Sequence, residues 1–252
     1  MILIFYVVFY FSCYKSEDLK KCASLINSGS IIIFPTDTVY GIGCDPLNDD
    51  SVLKLFKIKN RPLDKYLPIL TDNILHLSHL VEVTEKAKIL INRFWPGPLT
   101  LILKLKKNSS LTSRYAFDNT IAIRIPDNKC TTNLIQLTKN KLLVGTSANL
   151  SKHSPLTNLK DLNTCNLQGY DAVIDGGRRG MGVRELRDEQ IVDNGEAEDG
   201  SPSGEHKSYT SNNSSSVSTI VDLAENNNLK IIREGIISKE KIFETLNEKD
   251  KK

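Results

Sequence analysis

Apolar residues in this chain alternate between two spacings, and that alternation restricts the fold more than any other feature of the sequence. Leu19, Cys22, Ala23 and Ile26 recur at i, i+3, i+4 and i+7, which predicts an amphipathic helix over residues 17–28, and Gly29 sits where such a helix would end. The apolar run at 30–34 then reads as a strand. Two further helices are expected, one with the apolar face Val52, Leu55 and Phe56, capped by Asp49 or Asp50, the other with Ala87, Leu90, Ile91 and Phe94, capped by Thr84. Trp95-Pro96-Gly97-Pro98 terminates the second of these. Strands are expected at 99–105, 120–125, 141–144, 172–174, 217–223 and 229–233, a helix near 131–138, and a closing helix capped by Ser238 that buries Ile242, Phe243 and Leu246. Helices interleaved with strands in this way imply an α/β sheet protein.

Composition limits what can be built on that frame. A chain of 252 residues, 40% hydrophobic and 25% charged, suffices for one full core, while Lys+Arg 33 against Asp+Glu 30 is too even for a protein that coats nucleic acid through its overall charge. From 178 to 216 the apolar pattern stops and Gly, Asp, Glu, Ser and Asn dominate, so a disordered insertion is expected there, a solvated excursion rather than a lid. The first fourteen residues, MILIFYVVFYFSCY, fall short of the about 20 apolar residues that span a bilayer and lack a basic leader. A buried N-terminal strand fits them, as do a targeting or anchoring segment and a mis-assigned start, so residues 1–15 stand apart from the domain at 16–252. No stable membrane insertion is expected. The five cysteines are odd in number, scattered and without a C-x-x-C pair, which argues against a disulfide framework and a zinc site and favours a reducing, cytoplasmic setting.

Four short blocks carry chemistry, and none is a nucleotide-binding glycine loop: Gly41-Ile42-Gly43-Cys44-Asp45-Pro46 breaks the G-x-G-x-x-G pattern at its third glycine. Pro35-Thr36-Asp37-Thr38-Val39-Tyr40-Gly41 follows the strand at 30–34 and gathers hydroxyls, a carboxylate and a phenol in one turn, suited to a small polar ligand or to turn chemistry alone. Lys59-Asn60-Arg61-Pro62 reads as an extended run, because Pro62 disfavours helix at Arg61. Lys59 and Arg61 would then project to one side, with Lys65 close by, either onto a polyphosphate or into solvent. In Asn119-Thr120-Ile121-Ala122-Ile123-Arg124-Ile125 the isoleucines face the core and Arg124 the other side, as a carboxylate partner or a surface residue. The fourth block, Val144-Gly145-Thr146-Ser147-Ala148-Asn149, runs from a strand into a loop of hydroxyls and an amide, where ligands of open α/β sheets commonly sit.

Taken in order, PTDTVYG, KxRP, FWPGPLTLIL, TIAIRIP, TSANLS, the DGG after a strand, STIVD and IIREG resemble the YrdC/TsaC family over about 16–246. The resemblance implies a twisted open mixed sheet flanked by helices and a nucleotidyltransferase that makes threonylcarbamoyl-AMP from L-threonine, bicarbonate and ATP with Mg²⁺, for N6-threonylcarbamoyladenosine at tRNA position 37. It implies threonine contacts at Thr38, Arg124, Ser147 and Ser218, and ATP contacts at Lys59, Arg61, Lys65, Thr120, Asn149, Thr157 and Arg233, with Lys59 and Arg61 supplying catalytic charge. A threonylcarbamoyl transferase downstream is the implied partner.

The chain stops shortly after the closing helix where longer relatives add a C-terminal domain, so it resembles the single-domain form and no second domain is expected; two local departures accompany this. Tyr66-Leu67-Pro68-Ile69-Leu70 stands where some members carry a histidine, and the long tract before Ser218 replaces a short turn. Two other readings compete. The same fold could hold double-stranded RNA or tRNA without catalysis, with Arg114 and residues 104–107 on phosphates. A carbamoyl-transfer module of the hydrogenase-maturation type is similar, but belongs to a larger chain with zinc-binding cysteines.

Overall fold

The structure, a computed structural model, describes residues 7–78, 80–107, 119–151, 153–176, 216–225 and 228–248. Strand β1 (Phe9–Ser12) leads into helix α1 (Ser16–Asn27), which buries Leu19, Cys22, Ala23 and Ile26, the residues whose spacing predicts it. Gly29, at φ 91°, turns the chain out of the helix towards β2 (Ile32–Phe34). There follow β3 (Gly41–Gly43), α2 (Asp49–Ile58), β4 (Ile69–Leu70), α3 (Glu85–Phe94), β5 (Leu99–Lys104) and β6 (Thr120–Arg124). Then come α4 (Lys129–Leu137), β7 (Leu143–Val144), β8 (Thr146–Ser147), β9 (Ala172–Asp175), β10 (Thr219–Asp222), β11 (Lys230–Arg233) and α5 (Lys239–Asn247). None of the helices among the described residues is long and apolar enough to cross a membrane.

The α/β class read from the sequence is the class observed, with the described strands divided between two mixed sheets. One has the order β1-β9-β2-β3-β8 and the other β11-β10-β5-β6-β4-β7. Period-two alternation explains the packing. Ile32 and Phe34 of β2 join Leu19, Cys22 and Ile26 of α1 and Leu134 and Ile135 of α4 in one apolar cluster. Ile33 faces the larger cluster, which holds α2, α3 and the alternate leucines and isoleucines of β5 and β6. In the six-stranded sheet this leaves Thr100, Ile102, Ala122 and Arg124 on the face away from that larger core.

Several local expectations are corrected. Asn48, not Asp49 or Asp50, caps α2, its side chain accepting from the Ser51 N–H at 3.0 Å. The two aspartates occupy the first turn, where carboxylates suit the helix dipole. Thr84 and Ser238 cap α3 and α5 as expected. On α5 Ile242 is buried but Phe243 is largely exposed, because neighbours in sequence lie on different sides of a helix. The expected buried N-terminal strand is an edge strand among the described residues: β1 pairs there with β9 alone, and Phe9 and Tyr10 are exposed. Cys13 and Cys130 form a disulfide across 117 residues of sequence. The topology brings the end of β1 beside the first turn of α4, a proximity that cysteine spacing does not encode. Arg114 and all but Ser216 of the expected insertion at 178–216 lie outside the described residues.

The paired glycines of β3 have a packing explanation. A Cβ on Gly41 would lie 2.8 Å from the Phe34 ring, and one on Gly43 would lie 1.6 Å from the Val144 carbonyl oxygen. Backbone cannot yield as a flexible side chain can, so Gly43→Ala should lower unfolding free energy by about 2–3 kcal/mol or more in urea denaturation, the scale of an overpacked core site. Unchanged stability would show that β3 and the 143–148 segment do not approach this closely.

Candidate active site

The non-core face of the six-stranded sheet forms the floor of a cleft of about 230 Å³, whose rim comes from the turn after β2, the 61–68 segment and the 145–147 segment. Thr38, Arg61, Lys65, Arg124, Ser147, Ser218 and Arg233 line it together. The four chemistry-bearing blocks and the two strands near the C-terminus thus converge on one opening.

The end of α2 decides where the cations go. Asn60 adopts φ 46°, its N–H bonding the Lys57 carbonyl, while the Arg61 N–H bonds the Phe56 carbonyl, both at 3.0 Å. This is the paired closure of a helix end by a left-handed residue, and Asn is one of the few non-glycine residues that accepts it. Lys59 therefore remains at the helix end instead of alternating with Arg61 along an extended run. Its ammonium, on a residue 1% exposed, donates to the Ser147 carbonyl and, at 2.8 Å, to the Asn149 carbonyl. Its own carbonyl accepts the Ser151 N–H at 3.0 Å. Lys59 braces the 147–151 turn from behind, and Arg61, released by the reversal, reaches the cleft. Arg61 Nη2 donates to the Tyr66 carbonyl at 2.8 Å, while its buried Nε has no partner among the described residues.

Arg124 is held on three sides: Nε donates to the Gly97 carbonyl at 3.0 Å, Nη1 to Thr38 Oγ1 at 3.2 Å and Nη2 to Asp37 Oδ1 at 2.6 Å. Among the described residues this engages three of its five N–H groups and leaves two for a ligand. Thr36 shapes this turn, its hydroxyl donating to the Val39 carbonyl at 2.5 Å. Across the cleft Arg233 donates from Nε and Nη2 to the Ser218 carbonyl and from Nη2 to Ser218 Oγ at 3.1 Å. Arg233 is exposed along its length, but desolvation of its guanidinium end and the Arg124 and Arg61 charges hold its pKa below the ordinary value. Burial does the same to Arg61. Tyr66 closes one wall, its hydroxyl 2.6 Å from Thr120 Oγ1.

Four of the expected contact residues do not line the cleft. Lys59 and Asn149 lie behind the turn that bears Ser147, and Thr120 stands behind Tyr66. Thr157 lines a separate hollow of about 400 Å³ with His153, Asp161 and Cys165. Asn149 Oδ1 and Ser151 Oγ are buried without partners among the described residues, while Asn149 Nδ2 bonds the Leu150 and His153 carbonyls. Sequence reasoning missed Asp37, Tyr66 and Thr100 as site residues. Asp37 sat in a quoted motif as the natural counter-charge of an arginine, and Thr100 is the lone hydroxyl in an otherwise apolar Leu99–Leu103 run. Tyr66 gave no signal beyond its place after KxRP. The basic stretch at 104–107 does not line the cleft: the Lys104 ammonium lies 3.7 Å from Glu82 and Lys106 donates to the Ser78 carbonyl.

A mixed α/β fold carrying a cleft of converging guanidiniums and hydroxyls defines the class, and comparison with known proteins identifies the family. Residues 24–194 match the family Sua5_yciO_yrdC, described as "Telomere recombination". The chain is 37% identical over 174 residues to the threonylcarbamoyl-AMP synthase of Bacillus subtilis, covering 67% of this chain and 49% of that protein. It is 33% identical over 166 residues to the enzyme of the same name from Pyrococcus abyssi, covering 66% and 48%. It thus spans about half the length of these two relatives. Pyrococcus abyssi Sua5 complexed with L-threonine superposes with a TM-score of 0.74 at 26% identity, over 96% of this chain and 61% of that one. The chain belongs to the Sua5/YciO/YrdC family.

Burial, and secondarily the Arg61 charge, pull the Lys59 ammonium from 10.5 down to about 7. The unfolded chain keeps this proton up to about 10.5 while the folded protein gives it up near 7, so the Lys59 contribution to stability is least below pH 7 and grows as pH rises through that window. The melting temperature of wild type minus that of Lys59→Met should therefore widen between about pH 6.5 and 9.5 in thermal denaturation. A difference that stays flat or narrows would contradict the shift.

Proposed function

We propose that this chain condenses L-threonine, bicarbonate and ATP into threonylcarbamoyl-AMP with release of pyrophosphate, the first step in forming N6-threonylcarbamoyladenosine at tRNA position 37. The observation that carries the reading is the meeting of Arg61, Arg124 and Arg233 with the hydroxyls of Thr38, Ser147 and Ser218 in one cleft. The substrates bring a carboxylate, a carbamate and a triphosphate, and the cleft supplies guanidiniums, whose planar fork matches such oxygens. The names of the Bacillus and Pyrococcus relatives, and the threonine complex of Pyrococcus abyssi Sua5, support the same substrates.

The chemistry needs no covalent enzyme intermediate. The threonine amine adds to bicarbonate with loss of water, or to carbon dioxide with loss of a proton, to give a carbamate, and a carbamate oxygen attacks the α-phosphorus as pyrophosphate departs. Charge accumulates on phosphoryl oxygens in the transition state, so the protein contributes positioning and positive charge. In this reading Arg124 and Thr38 orient the threonine carboxylate. Arg61, with its unpartnered Nε, and Lys65 and Arg233 take the phosphates. Lys59 acts through the turn it braces. Mg²⁺ would arrive on the triphosphate, as this hard cation usually does, and so belongs to the substrate. The donor set fits that arrangement: the cleft presents anion-binding groups, and Asp37 is already engaged by Arg124.

Residues from Ile31 to Ile242 share one apolar cluster, which supports treating 16–252 as a single domain with 178–216 as an insertion. The product is a mixed anhydride that hydrolyses readily, so a threonylcarbamoyl transferase acting on tRNA is the partner it calls for.

Arg61→Ala should cut threonine- and bicarbonate-dependent pyrophosphate release by about 10²–10³-fold, the scale of losing one preorganised charge donor. The melting temperature should stay close to wild type, because among the described residues the Arg61 side chain makes one hydrogen bond, to the Tyr66 carbonyl. Turnover within about twofold of wild type would refute its role, and product without threonine dependence would refute the reaction.

A further inference from the structure

Ser218 and Arg233 meet a third residue that no site assignment includes. Thr100, on β5, is 1% exposed, and its Oγ1 lies 3.0 Å from Ser218 Oγ. The parallel pairing of β5 with β10 fixes this approach, since Thr100 is in register with Ile220, two residues beyond Ser218. Thr100 also lines the cleft, on the same face of β5 as Ile102.

The direction of the hydroxyl–hydroxyl bond follows from counting hydrogens. Among the described residues Thr100 Oγ1 has no other hydrogen-bond partner, so its hydrogen meets a protein acceptor there only if it points at Ser218 Oγ. The opposite arrangement would leave a buried donor unpaired, a costly state. Ser218 Oγ also accepts from Arg233 Nη2 at 3.1 Å. A hydroxyl has two lone pairs and one hydrogen, so both lone pairs of Ser218 are then filled. Its hydrogen is the one valence left, and the cleft is the side left open to it.

We propose that Thr100 is a positioning residue that makes Ser218 an obligate hydrogen-bond donor, directed at an anionic oxygen of the amino-acid substrate. The assignment rests on reading the cleft as the threonylcarbamoyl-AMP site. Two oxygens share the required chemistry: the carboxylate of threonine and the carbamate formed from it. An amine or hydroxyl hydrogen cannot face Ser218, because no lone pair is left to receive it. The surrounding guanidiniums of Arg233 and Arg124 favour the same anionic partner.

The test is calorimetric titration of the full chain with L-threonine, in bicarbonate-free buffer and again with bicarbonate and a non-hydrolysable ATP analogue, on wild type, Thr100→Val, Thr100→Ser, Ser218→Ala and the Thr100→Val/Ser218→Ala double variant. Thr100→Val and Ser218→Ala should each weaken L-threonine about tenfold, the double variant no further than either alone, and Thr100→Ser should stay within about twofold of wild type. A loss already present without bicarbonate assigns the donor to the carboxylate, and one seen only with bicarbonate assigns it to the carbamate. Wild-type affinity in Thr100→Val, or additive losses in the double variant, would overturn the proposal. If Thr100→Val does not fold, Thr100→Ala, which also lacks a donor, is read against the same criteria. A wild-type chain that binds no L-threonine would overturn the functional reading itself.

Discussion

Bringing several guanidiniums into one partly enclosed cleft is unfavourable, and the protein meets that cost with backbone carbonyls more than with carboxylates. Arg61 is held by the Tyr66 carbonyl, Arg233 by that of Ser218, and Arg124 by that of Gly97 together with Asp37. A carbonyl satisfies an N–H without cancelling the charge, so the positive potential of the cleft survives for the ligand. Full neutralisation by aspartates would give a more comfortable apo protein and a weaker anion site. The depressed pKa values of Arg61 and Arg233 record desolvation and, at Arg233, repulsion by Arg124 and Arg61, against which an incoming anion stabilises the charged form.

Seen this way, the helix ends and turns serve one purpose. The left-handed Asn60 separates two cations that are near neighbours in sequence, sending Lys59 inward as a brace and Arg61 outward as a contact. The turn after β2 folds on the Thr36 hydroxyl, presenting Thr38 and Asp37 to Arg124. Both devices spend polar groups on local geometry, and the local geometry then determines which groups a substrate meets. Binding energy in such a site comes from preorganisation, because the arginines need little reordering when the ligand arrives.

Much of this architecture could be read from the residues. The i, i+3, i+4, i+7 spacing located α1 and the alternation of Ile121, Ile123 and Ile125 placed Arg124 on the polar face of β6, because burial follows these periods directly. The short strands β3, β4, β7 and β8 were harder, since two or three residues carry too little periodicity. Gly41 and Gly43 looked like a damaged phosphate loop when their cause is contact with Phe34 and Val144, which no local pattern announces. Lys59 was misplaced for a related reason: Pro62 signalled an extended chain, whereas Asn60 and the orphan carbonyls of α2 favoured a closed helix end. The Cys13–Cys130 bridge and the Thr100–Ser218 pair depend on long-range topology, and only the folded arrangement discloses them.

The 143–148 segment has a mechanical consequence. β7 belongs to the six-stranded sheet and β8 to the five-stranded one, and the intervening chain is riveted on both sides. Val144 N–H bonds the Cys44 carbonyl, Gly145 N–H the Pro68 carbonyl and Ala148 N–H the Tyr40 carbonyl, at 2.8 to 2.9 Å. The absence of side-chain volume at Gly43 lets this main-chain seam close. Parting the two walls would tear peptide hydrogen bonds, so the aperture is set when the backbone folds, and accommodating a bulkier guest falls to rotamers alone.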